Sequence, residues 1–187
     1  MLLKQIVTNS FRLDIDEGLW IDCVKEKDLS GPWLSWLKDF DTIQWLEGPR
    51  MHSYNHDDLS QYWQRMESAE TDILFAIRYQ GSHIGNITLT SISIPHRHAT
   101  VGILLGEEKM RNRGISRRSL QKVGDWALSS IGLNLVRLQA AAFSENPASI
   151  KTFLAAGYEI EGTWHKARCF DNIFYDMVWM ARLSPSV

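Results

Sequence analysis

The sequence has few cysteines, and it lacks both an excess of basic residues and a long apolar run. Cys23 and Cys169 are its only cysteines, too few for a disulfide framework or a cysteine metal set and typical of a reducing compartment. The 20 Lys and Arg residues stand against 22 Asp and Glu, for a net charge of −2, so the broad positive surface that binds nucleic acid is not expected. No apolar run approaches the roughly 18 residues that cross a bilayer, and the first residues lack the features of a signal peptide. These absences predict a cytoplasmic protein that binds neither nucleic acid nor membrane.

The rest of the composition is that of a folded chain. Hydrophobic residues make up 44% of the sequence and aromatic residues 11%, which excludes a disordered protein. A domain usually holds about 100–200 residues, and no repeat, low-complexity tract or Pro/Gly/Ser-rich linker divides the chain. We therefore expect a single domain over residues 1–187.

Local patterns predict the elements of the N-terminal third. β-branched and aromatic residues predict a strand over 19–24. Apolar residues three and four apart predict a helix over 28–37, with Pro32 in its first turn. A second helix begins at Asn55 or His56, either of which could cap it. For residues 1–17, the sequence is compatible with either an extra strand or a hairpin.

From residue 72 onward the pattern becomes that of a sheet interrupted by two helices. Strands are predicted over 72–80, 83–94, 99–105, 135–143, 158–163 and 173–183. A long helix is predicted over 116–131, stopping at Gly132, and a shorter one is capped by Asn146 with Pro147 in its first turn. This order predicts an α/β (α+β) fold, with a central, mostly antiparallel mixed sheet flanked by helices.

The junction between the strand that ends at Leu104 and Leu105 and the long helix indicates a binding site. The first N–H groups of a helix lack internal partners and carry partial positive charge, so they bind phosphate, particularly beside a glycine such as Gly114. Four arginines cluster there, and they favour an anionic partner: Arg111, Arg113, Arg117 and Arg118. A solvated basic patch capped by Ser116 is the alternative, and these residues alone leave both open.

Two motifs resemble the GNAT superfamily of acetyl-CoA-dependent N-acetyltransferases. Arg111-Asn-Arg-Gly114-Ile-Ser116 is similar to the family signature Arg/Gln-x-x-Gly-x-Gly/Ala, apart from the serine at its end. The segment that runs from Asn146-Pro-Ala-Ser149-Ile to Gly157-Tyr158 resembles the second family block, Asn-x-x-Ser/Ala-Ile ending in Gly-Phe/Tyr. Glu161-Gly162 follows as in the branch of ribosomal-protein N-terminal (Rim-type) acetyltransferases. The resemblance covers residues 19–183.

This resemblance implies a GNAT-like fold that uses acetyl-CoA as cosubstrate and no metal. It assigns the coenzyme's pyrophosphate to the backbone amides of six residues: Arg111, Asn112, Arg113, Gly114, Ile115 and Ser116. The pantetheine arm would lie along the strand end at Leu104 and Leu105, and Asn146 would contact the coenzyme while also capping its helix. Residues 1–70 would form the substrate side, and residues 71–183 the coenzyme-binding core.

The resemblance also indicates how catalysis proceeds. Relatives let the amine attack the thioester directly, and many carry a tyrosine proton donor where this chain has Phe153. Ser149 is the remaining candidate donor, although its hydroxyl could instead belong only to the first turn of its helix. No carboxylate occurs in the strand over 138–143, where several relatives place a base.

Without a strong base, a weakly basic acceptor is favoured. Neutralising a lysine at pH 7 costs ~4–5 kcal/mol, against ~1–1.4 kcal/mol for an α-amino group. Trp33 and Trp36, which precede Asp39, resemble an element of relatives that acetylate nucleotide-linked amino sugars. We therefore expect an amino sugar or another small weakly basic amine as the acceptor.

Two other functions stay open at the sequence level. One is acetylation of a protein N-terminus, such as that of a ribosomal protein, and the other is a coenzyme-binding regulator without turnover. A homodimer also stays open. His96 and His98 have no third ligand nearby in the sequence, so no metal site is expected.

Overall fold

The computed structural model describes residues 6–7 and 10–185 of the chain. Within this part, eight strands form one sheet: β1 (Arg12–Asp16), β2 (Leu19–Cys23), β3 (Ile73–Tyr79), β4 (Ser82–Ser93), β5 (His98–Leu105), β6 (Arg137–Phe143), β7 (Glu159–Phe170) and β8 (Ile173–Leu183). Their order is β1-β2-β3-β4-β5-β6-β8-β7. Only β5 and β6 pair in parallel; the other described pairs are antiparallel. The predicted mixed, mostly antiparallel sheet is confirmed.

Six α-helices accompany this sheet in the described chain: α1 (Trp33–Trp36), α2 (Phe40–Ile43), α3 (Glu47–Met51), α4 (His56–Ser68), α5 (Ile115–Leu128) and α6 (Pro147–Ala155). Short 3-10 helices span Glu26–Ser30 and Glu108–Met110. Asn55 caps α4, because its side chain accepts hydrogen bonds from the N–H groups of Asp57 and Asp58. Asn146 caps α6 in the same way, which confirms the predicted helix start.

The helix predicted over 28–37 is wrong as a single element. The structure has the 3-10 helix Glu26–Ser30, a break at Gly31, and then the four-residue α1. The break has a tertiary cause, since the Asp28 carboxylate binds the buried Arg78 guanidinium on β3 through hydrogen bonds of 2.8 and 2.6 Å. Asp28 also accepts a hydrogen bond of 2.8 Å from the Lys25 N–H, which holds the chain in the tighter turn.

Two other boundaries differ from the sequence-based expectation, and the structure settles a segment that the sequence left open. The helix predicted to reach residue 131 ends at Leu128, where the Ser129 hydroxyl and N–H both donate to the Trp126 carbonyl. The strand predicted over 158–163 continues to Phe170, because it pairs along most of its length with β8. The open segment 1–17 contains β1, which forms a hairpin with β2; residues 1–5 and 8–9 lie outside the described residues.

The sheet carries an apolar layer on each face. Alternate residues of β3 enter different clusters: Phe75 packs with the α5 side chains, whereas Leu74 packs with α1 and α4. Trp33 and Trp36 are only 3% and 5% exposed and belong to the second cluster, so most of their area stabilises the fold. None of the helices formed by the described residues is long and apolar enough to span a bilayer.

The parallel pair β5–β6 opens into a gap. The two strands pair only over His98 to Thr100 of β5. At the last paired position, the Gln139 side chain donates a hydrogen bond of 3.1 Å to the Thr100 hydroxyl. Beyond that point β5 stays paired with β4, while β6 stays paired with β8. Residues 101–105 therefore present an unpaired strand edge toward β6, and this edge positions the site.

Candidate active site

A cavity of about 400 Å³, here the interstrand cavity, fills the gap between β5 and β6. Residues 101–105 form one wall, and residues 141–143 form the opposite wall. Seven of the residues predicted from the sequence line this cavity: Leu104, Leu105, Arg111, Asn112, Ser116, Asn146 and Ser149. Arg113 and Gly114 are exposed outside its lining, and the Ile115 side chain is buried in the core, so Gly114 and Ile115 can offer a ligand only their backbone groups.

The loop before α5 presents a row of unused backbone donors. Within the described chain, the N–H groups of residues 112–117 donate to no backbone or side-chain acceptor. The N–H of Arg111, which the resemblance also assigned to the pyrophosphate, is not free, because it donates to the Glu108 carbonyl at 2.9 Å. Asn112 and Gly114 both have a positive φ, of 60° and 69°. A Cβ built at Gly114 meets nothing within 4 Å, so the space on that side of Gly114 is open. The arrangement fits the binding of an anionic diphosphate at the start of a helix.

The four arginines predicted around this loop have different partners. Arg118 forms an ion pair with Asp16 and also donates to the Gly114 and Arg113 carbonyls, at 3.4 and 3.3 Å. Arg111 donates to the Thr42 hydroxyl at 2.6 Å, and the Arg113 guanidinium lies 5.4 Å from the centre of the Tyr79 ring. Arg117 is exposed. Arg118 thus binds the carbonyl oxygens of Arg113 and Gly114, and the N–H groups of the loop remain available to a ligand.

Helix α6 brings Asn146, Ser149 and Phe153 to the interstrand cavity. The Asn146 Oδ1 atom accepts a hydrogen bond of 3.0 Å from the Ser149 N–H, so the capping role is present. The Ser149 hydroxyl is partly exposed and forms no hydrogen bond within the described chain. Phe153, one turn later, packs edge-on against Tyr158 with ring centres 5.1 Å apart.

Tyr158 does not replace the missing tyrosine at Phe153. Its side chain is 2% exposed, its hydroxyl has no hydrogen-bond partner in the described chain, and it does not line the cavity. Burial raises the pKa of this phenol, which makes proton release still less favourable. Ser149 is therefore the hydroxyl of α6 that combines access to the cavity with freedom from internal bonds.

A second cavity, of about 300 Å³, is bordered by β4 and β5 together with α1, α3 and α4, and we call it the aromatic cavity. Its aromatic lining consists of Trp33, Trp45, Tyr54 and Tyr62. The segment 45–47 and residues 102–104 of β5 line both cavities. The two spaces therefore meet at one point, between the start of α3 and the free edge of β5.

Glu47, the first residue of α3, is the site residue that sequence reasoning missed. It lines both cavities and forms an ion pair with Arg168 of β7. The family resemblance points to a carboxylate base only in the strand over 138–143. No local motif or periodicity marks Glu47, because its position depends on how α3 folds over the sheet.

The contacts of His83, His96 and His98 indicate structural roles for these three residues. His83 is 7% exposed and lies between Trp33 and Trp36, and its Nε2 atom is 2.8 Å from the Asn86 side chain. Burial lowers the pKa of His83, so the neutral ring is favoured. The His96 and His98 rings stack at 6.2 Å. Among the described residues, no group of three or more His, Cys, Asp or Glu is arranged to hold a metal ion.

Comparisons with known proteins give one consistent fold. A family model described as an acetyltransferase (GNAT) domain matches residues 19–159. The uncharacterized N-acetyltransferase YoaA of Bacillus subtilis is 29% identical over 143 residues, covering 66% of this chain and 79% of that protein. The L-amino acid N-acetyltransferase AaaT of Escherichia coli is 28% identical over 109 residues, covering 55% and 63%. The structure of the ribosomal alpha-N-protein acetyltransferase RimL, in complex with coenzyme A, superposes with a TM-score of 0.83 at 16% identity, covering 95% of this chain and 100% of that one.

Proposed function

We propose that this chain, which belongs to the GNAT acetyltransferase family, acetylates a small, weakly basic primary amine where its two cavities meet. The chain is an acetyl-CoA-dependent N-acetyltransferase. The observation that carries the proposal is the free edge of β5. It forms a wall of both cavities, so a coenzyme on one side and an amine on the other would meet across residues 102–104.

The coenzyme side of this proposal rests on unused hydrogen-bond groups. The free amides of residues 112–117 would bind the pyrophosphate, and the unpaired edge at residues 101–105 would pair with the amide groups of the pantetheine arm. Asn146 and Ser149 would border the same arm from α6. These residues fit acetyl-CoA, which supplies the acetyl group as an activated thioester.

Transfer then needs little chemistry from the protein. The neutral amine nitrogen attacks the thioester carbon, a C–N bond forms, and the C–S bond breaks. An N–H of the β5 edge would donate to the thioester oxygen as it gains charge. The attacking nitrogen loses one proton to solvent water. The departing thiolate gains one from a side-chain hydroxyl, which solvent then reprotonates. Ser149 would donate that proton, since its hydroxyl faces the cavity without an internal partner.

The acceptor is argued from size and basicity. A volume of about 300 Å³ lies at the lower end for small-molecule pockets. An α-amino group or amino sugar can be neutralised at pH 7 for ~1–1.4 kcal/mol, which a site without a strong base can supply. The name of AaaT, an L-amino acid N-acetyltransferase, also supports a small acceptor for this chain.

A protein N-terminus is the second candidate, favoured by the Rim-type motif Glu161-Gly162. Glu161, however, forms a bidentate ion pair with Arg137 of β6, so its carboxylate is engaged in the sheet. The hydrogen bonds from Arg137 lower the pKa of Glu161 and keep it ionised. A structural role for this motif residue weakens the second candidate.

A panel of acceptors tests the proposed function. Thiol release from acetyl-CoA is measured with alanine amide, an amino-sugar nucleotide, an alanine-terminated peptide and a lysine peptide. We expect the small weakly basic amines to react at least about 100-fold faster than the lysine peptide, given the difference in their neutral fractions at pH 7. Preference for the terminal peptide would favour the second candidate. Acetyl-CoA binding without turnover on any amine would identify a regulator instead.

Replacing Ser149 with alanine tests the proton donor. We expect kcat to fall about tenfold, because the thiolate leaving group has a pKa near 8.5 and needs only modest help. The acetyl-CoA Kd should not change. Ser130→Ala, at an exposed serine outside both cavities, is the matched control. If the Ser149→Ala variant retains the full kcat, the Ser149 hydroxyl is not the proton donor and has only a structural role in the first turn of α6.

A further inference from the structure

Glu47 supplies the only carboxylate among the described residues that line either cavity. It stands at the point where the cavities meet, opposite residues 102–104 of β5. Its side chain is 46% exposed, so water and ligands can reach it. A negative group at the place where an amine must approach a thioester calls for a functional explanation.

The surrounding contacts fix the position of this carboxylate. Its Oε1 atom accepts a hydrogen bond from Arg168 Nε, whereas Oε2 has no partner in the described chain. Three residues further along α3, the Arg50 guanidinium lies over the rings of Phe170 and Tyr175, 4.3 and 4.8 Å from their centres. Arg50 also donates to the Tyr175 hydroxyl at 2.8 Å. Helix α3 is thus held to the β7–β8 hairpin by two arginine contacts, with one oxygen of Glu47 left available.

The aromatic cavity has a different character from this junction. Beyond Glu47, its lining contains no charged side chain, and Trp33, Leu59 and Leu74 form its apolar wall together with two tyrosine rings. Its volume is about twice the ~150 Å³ cavity that holds a benzene ring. An apolar or aromatic group would be desolvated favourably there. Apart from Glu47, the hydroxyls of a sugar would find mainly Asn86, Thr88 and the two tyrosine hydroxyls as side-chain partners in this lining.

We propose that Glu47 Oε2 binds the ammonium form of the acceptor while the aromatic cavity takes an apolar side chain. The inference rests on the proposed function and narrows its acceptor to a small α-amine that carries an apolar or aromatic group. Glu47 acts here as a binding group for the cation. Before the attack, the bound ammonium loses its proton to solvent water, which reaches this half-exposed carboxylate. Glu47 itself need not remove the proton, since the pKa of an α-amino group lies within about one unit of neutral pH.

The charge is tested with Glu47→Gln, which keeps the shape of the side chain. With phenylalanine amide at pH 7, KM should rise about tenfold, the loss expected for one charge-assisted hydrogen bond. The acetyl-CoA Kd, measured by calorimetry, should not change. Glu159→Gln is the matched control, because Glu159 is exposed on β7 outside both cavities. Above pH 9, where the amine is neutral, the KM difference between Glu47→Gln and the wild type should largely disappear; a purely structural role would keep it constant.

Arg168→Gln separates the charge of Glu47 from its ion pair. This variant breaks the same pair but retains the carboxylate, so KM should rise less than in Glu47→Gln. Equal rises would overturn the ammonium site, as would an unchanged KM in Glu47→Gln.

The apolar side is tested with two amides of matched α-amino chemistry. The kcat/KM for phenylalanine amide should exceed that for glycine amide at least about tenfold, as burial of an aromatic side chain provides. Equal values, or a preference for glucosamine, would overturn the apolar assignment while leaving the proposed function intact. Absence of turnover with every amine would overturn the proposed function, and this inference with it.

Discussion

Replacing Gly114 with valine is expected to weaken acetyl-CoA binding by about 100-fold or more. Gly114 has a φ of 69°, a conformation that a β-branched residue adopts only under strain. Gly114 lies among the residues 112–117, whose N–H groups are free, and a Cβ built there meets nothing within 4 Å. A valine would therefore strain the backbone that holds these N–H groups in position, and its side chain would project into the open space beside the loop. Isothermal calorimetry with acetyl-CoA measures the effect.

Gly81→Val is the matched control for this substitution. Gly81 also has a positive φ, of 83°, and open space around its Cβ position, but it lies in the turn between β3 and β4. Both variants should lose a similar amount of stability in thermal unfolding, whereas only Gly114→Val should lose coenzyme affinity. Wild-type affinity in a folded Gly114→Val protein would contradict the assignment of the loop.

Replacing Asp28 with asparagine is expected to reduce the free energy of unfolding by about 3 kcal/mol. The side chains of Arg78 and Asp28 are both 5% exposed, and Asp22 supplies the third contact, at 2.8 Å from Arg78. Removing the Asp28 charge leaves a buried guanidinium only partly compensated. The same pair anchors the 3-10 helix Glu26–Ser30 that leads into α1, so the wall of the aromatic cavity should loosen as well.

Asp14→Asn provides the comparison for Asp28→Asn. Asp14 pairs with Arg12 at the surface, where the two side chains are 68% and 51% exposed. Solvent screening makes such a pair worth little, so the free energy of unfolding should change by less than about 0.5 kcal/mol. Urea unfolding measures both variants. Equal losses in their free energies of unfolding would show that burial of the Asp22–Arg78–Asp28 network contributes nothing to stability.

The pH dependence of the Asp28 contribution follows from its pKa. Burial acts to raise the pKa of this carboxyl, but the hydrogen bonds from Arg78 and from the Lys25 N–H outweigh it and lower the pKa. A carboxyl whose pKa is lower in the folded state stabilises that state above its unfolded pKa, near 3.9, and loses the effect as the pH falls further. The stability difference between wild type and Asp28→Asn should therefore persist from pH 7 to about pH 4 and shrink below it.

Features encoded by neighbouring residues were predictable. The helix start at Asn55 or His56, the cap at Asn146, the strand–loop–helix junction at Gly114 and the strand over 72–80 all depend on local sequence, and the structure contains each of them. The helix expected over 28–37 failed for the opposite reason. Its apolar spacing was helical, yet a buried contact between Asp28 and Arg78, 50 residues apart, divided it.

The order of residues along the chain was enough to determine the fold class and the family, and to predict the position of the loop before α5, because each depends on short-range propensity or on a contiguous motif. The tertiary structure alone decided three things: that β5 leaves β6 after Thr100, that Trp33 and Trp36 pack mainly in the core, and that Glu47 reaches the junction of the two cavities. Each depends on side chains that meet across the sheet from distant parts of the chain, such as Glu47 and Arg168. Such long-range contacts leave no periodicity or motif in the sequence, because they stabilise the protein only after the helices have packed on the sheet.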